Sequence, residues 1–329
     1  MLQTFLATLN PMLVLFVCIT VGFVLRATKI LPENASKTIA KLETWVFSPA
    51  LSFSTMATYC TVKSLGTHAV NILFSCFVIA LSMAMAIPLA KRFIKNPTPE
   101  RGIYEYALTF ANFGYMADPI VLALFGGEGL AYYKLFSLPG SIMVYTWGIS
   151  VLVPKGTDRG SFLKKITNAP TIAMLLGIIA GLTGLGAHLP EFVSSSLNSL
   201  KGCMGPLAMI LAGVTVANYS MKKMLQNKKI YTATALRLVI LPAVIIGAVF
   251  GVKELINLIF STDINNMVVY LAFFFTAMPL GLNTVVFPEA YGGSPETGAG
   301  MALISHTLCV VTIPLLFTLM TVLFGAFPI

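Results

Sequence analysis

Apolar runs of about 20 residues recur along the whole chain, and they limit its fold more than any other feature. A helix of that length crosses the hydrocarbon core of a bilayer, which is roughly 30 Å thick. With 57% hydrophobic and 10% charged residues, the chain has too little polar surface for a water-soluble globule. We therefore predict an all-α membrane protein with ten transmembrane spans, at residues 5–25, 42–59, 69–90, 103–125, 135–153, 170–187, 203–219, 230–252, 267–290 and 298–324.

Basic residues gather beside alternate connections between these runs. By the positive-inside rule those connections are cytoplasmic, so both termini lie on the non-cytoplasmic side. The net charge of +9 therefore reflects orientation in a bilayer and does not indicate nucleic-acid binding. Of the 21 basic residues, the 16 beside these connections are Arg26, Lys29, Lys37, Lys41, Lys91, Arg92, Lys95, Arg101, Lys155, Arg159, Lys164, Lys165, Lys222, Lys223, Lys228 and Lys229.

A weak internal repeat divides the chain into two halves. Leu-Pro-Glu at residues 31–33, after the first run, recurs at residues 189–191, after the sixth. Each half then holds five spans, and because five is an odd number, the second half enters the membrane from the opposite side. We predict two inverted five-helix repeats, residues 1–153 and 154–329, within a single integral membrane unit.

The fourth run is interrupted near its middle, within residues 110–129. Pro119 lacks a backbone N–H and restricts Asp118 to extended angles. We therefore predict that the helix stops near Asn112 and that the chain continues as irregular backbone through Gly114. A second helix then starts with Asp118 as N-cap and Pro119 as first residue. Irregular backbone at membrane depth is tolerated only where it is buried in protein or lines a water-filled cavity. Such a break is typical of the binding site of a secondary transporter.

The repeat predicts a second break in the ninth run. The Gly-Gly pairs at residues 126–127 and 292–293 are 166 residues apart, and this offset takes Pro279 to position 113, inside the first break. Pro279, Gly281 and Asn283 interrupt the ninth run there. Two antiparallel broken helices, four and nine, would then cross near the membrane midplane. Two ordinary proline kinks are the alternative.

The predicted crossing has the chemistry of an anion site. Half-helix N-termini present free N–H groups and partial positive charge, which suit a carboxylate. No centre of a predicted span contains a lysine, so we expect no buried ammonium there. Asn112 and Asn283 either orient the ligand or satisfy the broken backbone, and the two roles are compatible.

Four ionisable residues are candidates for ion coupling or gating. Asp118 either caps its half-helix or binds a coupled proton or cation. Glu289 either joins in ion coupling or faces the membrane interface, and His306 either packs or belongs to a proton relay. Arg237, seven residues into the eighth run, either snorkels to the cytoplasmic edge or forms a gate or substrate contact.

Enzymatic chemistry has no support in the sequence. It contains no HExxH, GxSxG or GxGD motif and no P-loop lysine, so we predict neither an enzyme nor a cofactor. The five cysteines have neither metal-site nor disulfide spacing.

An ordered set of motifs resembles the auxin efflux carrier family, which includes bacterial malate and malonate permease-like transporters. The resemblance implies a ten-helix carrier of organic anions whose crossed helices four and nine form the site. It also implies an elevator mechanism, with a scaffold of spans one, two, six and seven and a moving unit of spans three to five and eight to ten, and a homodimer. The motifs are Asn112-x-Gly114-x-x-Ala117-x-Pro119 with Phe125-Gly126, Trp147-Gly148, residues 206–213, residues 279–292, and SHTLCVVTIP ending at Pro314.

Position by position, the resemblance assigns substrate binding to both breaks. The matching residues are Asn112, Gly114, Pro119, Pro279 and Asn283. This chain departs from the family pattern at three positions, where Ala117 replaces a common glycine, Asp118 an apolar residue and His306 a small hydroxyl residue.

We therefore expect a secondary transporter of small organic anions, such as mono- or dicarboxylates, with Asp118 as the site of a coupled proton. Within the resembled family, the absence of a long central cytoplasmic loop favours a permease of the bacterial inner (plasma) membrane over a plant hormone carrier. The alternatives are a sodium-coupled organic-anion symporter of the bile-acid-transporter type and a transporter-derived ligand sensor. Expected partners are the anion, a proton or sodium ion, the lipid bilayer and a second copy of the chain.

Overall fold

The computed structural model describes residues 2–62, 65–152, 169–291 and 295–326. Within these ranges the chain is helical and loop, with no strand beyond an isolated antiparallel bridge. The helices are α1 (Leu2–Ala27), α2 (Ala35–Leu42), α3 (Ser48–Tyr59), α4 (Leu65–Phe93), α5 (Pro99–Thr109), α6 (Ala117–Met143), α7 (Ile149–Leu152), α8 (Ala169–Leu182), α9 (Glu191–Ala217), α10 (Met221–Gln226), α11 (Lys228–Ala235), α12 (Leu241–Phe260), α13 (Met267–Thr276), α14 (Asn283–Tyr291) and α15 (Pro295–Phe324). Pi-helical turns Glu43–Phe47, Val144–Gly148 and Leu236–Ile240 join α2 to α3, α6 to α7 and α11 to α12.

Six helical stretches in the described ranges are long and apolar enough to cross a membrane, and α8 and α13 are shorter apolar helices. The prediction of an all-helical membrane protein is confirmed at this level. The predicted cytoplasmic residues Lys155, Arg159, Lys164 and Lys165 lie outside the described ranges. The six stretches are Leu2–Ala27, Ala69–Phe93, Ala117–Leu152, Glu191–Ala217, Lys228–Phe260 and Pro295–Phe324.

Helix α6 contains a sharp bend that separates the fourth apolar run from the fifth. Gly126 has φ 66° and ψ −166°, a conformation essentially confined to glycine. The fifth run therefore begins at Gly127, and the predicted start at Leu135 is wrong. Because of this shift, Lys134 lies inside the membrane-length helix and is 8% exposed.

Close backbone contacts at glycines hold α1 to α9 and α3 to α8. A Cβ on Gly22 of α1 or on Gly213 of α9 would collide with a backbone carbonyl of the facing helix, at Ile210 or Ile19. Gly177 of α8 packs in the same way on α3. Small residues at such contacts are typical of helix packing in membranes.

The fourth and ninth runs both break where their prolines predict. Pro99 opens α5 behind its N-cap Thr98, whose side chain accepts from the Arg101 N–H at 3.4 Å. The chain leaves the helix at Phe110, with φ −112° and ψ 123°. In the ninth run, α13 ends at Thr276 and α14 begins only at Asn283.

The two breaks pair with each other. Ala111 and Leu280 form the antiparallel bridge, and the Asn112 N–H donates to the Pro279 carbonyl at 2.7 Å. We call the segments 110–116 and 277–282 the paired breaks. Their pairing satisfies backbone groups that lipid cannot satisfy, which explains how irregular backbone survives at this depth. Helix α13, which leads into the second segment, is buried at all ten positions and is therefore surrounded by protein.

Candidate functional site

A polar cavity of about 110 Å³ lies beside the paired breaks. A single ordered water needs only about 10–15 Å³ by the same measure, so the space admits a small solute. Its lining residues come from the paired breaks, α5, α6 and Asn283, and also from the pi-helical turn Glu43–Phe47, α3, α8 and α9. Polar lining residues are Thr44, Ser48, Ser52, Tyr106, Asn112, Tyr115, Asp118, Lys134, Ser137, Ser141, Thr171 and Asn283.

Two helices, α6 and α14, begin beside the cavity. Helix α6 begins at Ala117, with Met116 as N-cap, so the predicted start at Pro119 behind an Asp118 cap is wrong by two residues. The Asn112 carbonyl accepts the N–H groups of Met116 and Ala117 at 3.2 and 3.3 Å, and this turn starts the helix early. Helix α14 begins at Asn283, a cavity-lining residue.

Asn112 connects the cavity to His306. Its side-chain Nδ2 lies 3.2 Å from His306 Nε2, and His306 Nδ1 lies 2.8 Å from the Ala302 carbonyl. The carbonyl can only accept, so His306 donates from Nδ1 and accepts the Asn112 amide at Nε2. His306 is 3% exposed and is absent from the cavity lining, so its contact with the cavity runs through Asn112.

Asp118 forms a buried ion pair with Lys134 across the bend of α6. Lys134 Nζ donates to Asp118 Oδ2, and both residues line the cavity. Asp118 Oδ1 is buried and has no hydrogen-bond partner among the described residues. The expectation that the site lacks a buried ammonium is therefore wrong. The Asp118 side chain makes no capping bond to the α6 backbone in this arrangement.

Asn283 and Gly114 also line the cavity. Asn283 Nδ2 donates to the Tyr106 hydroxyl at 3.0 Å, which fixes the amide at the start of α14. A Cβ placed on Gly114 would meet no atom within 4 Å, so this glycine leaves open space in the cavity.

The two predicted prolines do not line the cavity. Pro279 is buried and contributes its carbonyl to Asn112. Pro119 lies against α9, where a Cβ on Gly205 would approach Pro119 Cβ to 3.0 Å. Both prolines therefore act on the backbone around the cavity.

Arg237 lies away from the cavity lining. Arg237 is 1% exposed and donates to the carbonyls of Leu108 and Thr276, at 3.2 and 2.5 Å. The snorkelling alternative is therefore wrong. Glu289 belongs to α14, but its side chain lies outside the described part of the chain.

Lys134 and Tyr106 are the main lining residues that the sequence interpretation missed. A carboxylate such as Asp118 at membrane depth needs a cation nearby, and this requirement is a signal for Lys134. Tyr106 carries no comparable signal, because buried tyrosines are common in apolar helices. Across the described ranges, no group of three His, Cys, Asp or Glu residues could hold a metal ion.

An apolar, all-helical chain with a polar cavity at two broken helices has the construction of a membrane transport protein. A family model described as membrane transport protein matches residues 7–161 and 158–317. The chain therefore belongs to this family, the auxin efflux carrier family, and the resemblance drawn from its motifs is confirmed.

Two archaeal proteins are similar to this chain. An uncharacterized transporter of Methanocaldococcus jannaschii is 24% identical over 314 residues, which cover 93% of this chain and 97% of its own length. An uncharacterized transporter of Methanothermobacter thermautotrophicus is 25% identical over 214 residues, covering 64% of this chain and 69% of its own length.

Proposed function

We propose that this chain is a secondary transporter of small organic anions, mono- or dicarboxylates, which bind in the central cavity. The observation that carries the proposal is the Lys134 ammonium on the cavity wall. The same wall holds the amides of Asn112 and Asn283 and the N-terminal ends of α6 and α14. Ammonium groups, amide donors and helix N-termini all favour a carboxylate.

The proposed architecture is ten spans in two inverted repeats, with the paired breaks as the crossing of spans four and nine. Helices α5 and α13, which enter the two breaks, begin 168 residues apart, at Pro99 and Met267. The family model matches one stretch in each half of the chain, and this also supports a repeat. Both termini are proposed to lie outside the inner membrane.

The position of the cavity supports an elevator mechanism. The scaffold of this mechanism is spans one, two, six and seven, which correspond to α1, helices α2 and α3, α8 and α9. The remaining helices are the moving unit. Both groups contribute to the cavity lining, with Ser52 and Thr171 from the scaffold and Asn112 and Lys134 from the moving unit. A ligand there is exposed or covered as one group moves against the other.

The Asp118–Lys134 pair supports proton coupling. A substrate carboxylate that binds the Lys134 ammonium competes with Asp118 for it, and a displaced Asp118 is then a buried carboxylate that favours protonation. A coupled proton allows uptake, because each net negative charge moved inward against 100 mV costs about 2.3 kcal/mol. Export of the anion needs no coupling ion.

Charge movement in proteoliposomes on supported membranes tests the transport proposal. Purified protein is challenged with a panel of mono- and dicarboxylates at two pH values, and radiolabelled uptake is measured in parallel, because electroneutral symport gives no current. We expect transport by the wild type and by the control Asn198→Ala, whose residue is exposed on α9. Asn112→Ala is expected to lose it.

The same experiment separates the alternatives. With Asp118→Asn, we expect the pH dependence of flux to disappear while carboxylate binding persists. Flux that depends on sodium and not on pH favours the sodium-coupled symporter. Binding without flux in either assay favours the sensor. Native mass spectrometry in detergent tests the proposed homodimer.

A further inference from the structure

Each break frees a backbone carbonyl at the C-terminal end of a half-helix. In an unbroken helix the Leu108 carbonyl would accept from the N–H of residue 112, but Asn112 donates to Pro279 instead. In the same way the Thr276 carbonyl would accept from residue 280, but the Leu280 N–H donates to Ser305 Oγ at 3.2 Å. The two freed carbonyls end α5 and α13, the half-helices that enter the paired breaks.

A single arginine donates hydrogen bonds to both freed carbonyls. Arg237 Nη1 donates to the Leu108 carbonyl at 3.2 Å, and Nη2 donates to the Thr276 carbonyl at 2.5 Å. The residue lies in the pi-helical turn Leu236–Ile240, and such turns are frequent at functional sites. Its side chain has no carboxylate partner among the described residues. Its charge is therefore matched by helix ends.

The charges around the paired breaks then leave a net positive charge at the cavity. Each half-helix end carries about half an elementary charge, negative at the C-terminal ends of α5 and α13 and positive at the N-terminal ends of α6 and α14. The guanidinium offsets the two negative ends. The Asp118–Lys134 pair adds no net charge. What remains is the positive pair of ends at the cavity.

We propose that Arg237 is a positioning residue that sets the anion preference of the cavity, by neutralising the two half-helix C-termini and leaving the two N-termini as the uncompensated charge. Arg237 does this without touching the ligand, because it is absent from the lining. The consequence for transport rests on the proposed function, but the potential in the cavity does not.

The size of the effect follows from Coulomb's law. Leu108 precedes Asn112 by four residues, so the guanidinium and a bound ligand are on the order of 10 Å apart. With an effective dielectric constant of about 20, removing one charge at that distance changes the affinity for a singly charged species by about tenfold. A simple capping role would change rates and affinities equally for ligands of either sign.

The modification rate of the thiol in Gly114→Cys reports the electrostatic potential in the cavity without any substrate. The position has room for a side chain and lines the cavity. The five native cysteines are replaced by alanine, and the rates of modification by a cationic and an anionic methanethiosulfonate reagent are compared in Gly114→Cys, alone and with Arg237→Met or Arg237→Lys. Arg26→Gln is the matched control, because Arg26 also donates to a backbone carbonyl, that of Leu31, away from the cavity.

We expect Arg237→Met to shift the cation-to-anion rate ratio about a hundredfold toward the cationic reagent, since each reagent's rate moves about tenfold in opposite directions. Arg237→Lys and Arg26→Gln should leave the ratio within about threefold of the parent. Arg237→Gln, which keeps an amide donor, replaces Arg237→Met if the latter does not yield folded protein. An unchanged ratio in the folded neutral variant, or an equal shift in Arg26→Gln, overturns the proposal. If carboxylate transport is absent while the ratio shifts, the proposed function fails and this inference stands.

Discussion

At the scale of single residues, we predict that the pairing of Lys134 with Asp118 affects both stability and carboxylate binding. Removing one partner of a buried ion pair leaves the other charge unpaired, at a cost of about 3–5 kcal/mol. We predict that Lys134→Met lowers the thermal unfolding temperature in detergent and abolishes carboxylate binding. In Lys134→Met with Asp118→Asn, no charge remains unpaired, so stability should recover while binding stays lost. Recovery of binding in the double variant would contradict a role for the ammonium in binding.

Gly114 provides a second test at this scale, because it affects cavity volume without affecting packing. Its Cβ would meet no atom within 4 Å, and its backbone angles are not left-handed. We predict that Gly114→Ala folds with unchanged thermal stability and lowers dicarboxylate affinity more than monocarboxylate affinity, measured by titration calorimetry. Gly247→Ala, in open space on α12, is the control and should change neither. Equal loss for both substrates would argue against a steric effect.

The sequence-predicted residues with side chains on the cavity are polar groups that an apolar helix has no ordinary reason to contain. Asn112, Asp118 and Asn283 stand out for this reason, and all three line the cavity. The serine and threonine lining residues could not be identified, because membrane helices tolerate hydroxyl groups that bond to their own backbone. The partners of Arg237 depend on how two distant breaks pair, which no local pattern encodes.

At the scale of elements, the bend at Gly126 joins the two arms of α6, residues 117–125 and 127–143. The sequence predicted a connection between the fourth and fifth runs at residues 126–134, but not that the connection is a bend at one glycine, because a single glycine in an apolar run resembles an ordinary helical glycine. A residue with a side chain would adopt the Gly126 φ of 66° only with backbone strain, whereas a Cβ at this position would meet no atom within 4 Å. We predict that Gly126→Ala destabilises the protein by about 1–3 kcal/mol through backbone strain alone.

Reversible denaturation in mixed micelles measures that change. Gly251→Ala is the matched control, because it also lies in open space but within the regular helix α12. It should be neutral or slightly stabilising. A loss in the control equal to that in Gly126→Ala would assign the effect to lost flexibility and not to the bend.

At the scale of the whole molecule, the loop charges predict the orientation in the membrane. Alkaline phosphatase fused after residue 329 should be active, and green fluorescent protein fused there should be dark, because the loop charges predict that residue 329 is on the non-cytoplasmic side. Fusions after Asn227, between the lysine-rich ends of α10 and α11, should give the opposite result. The same signal at both sites would contradict the odd number of crossings between them.

The pairing between the two breaks also imposes an order on biosynthesis. Asn112 leaves the ribosome 167 residues before Pro279, whose carbonyl accepts the Asn112 N–H. At about 5–20 residues per second, this delay lasts about 8–33 s. During that time the Asn112 N–H and the Leu108 carbonyl can bond to each other, as they would in an unbroken helix, so neither group has to face lipid unpaired. We therefore expect the nascent first half to enter the membrane with a more continuous fourth helix, and the break to take its final form only when Pro279 and Arg237 replace this helical bond.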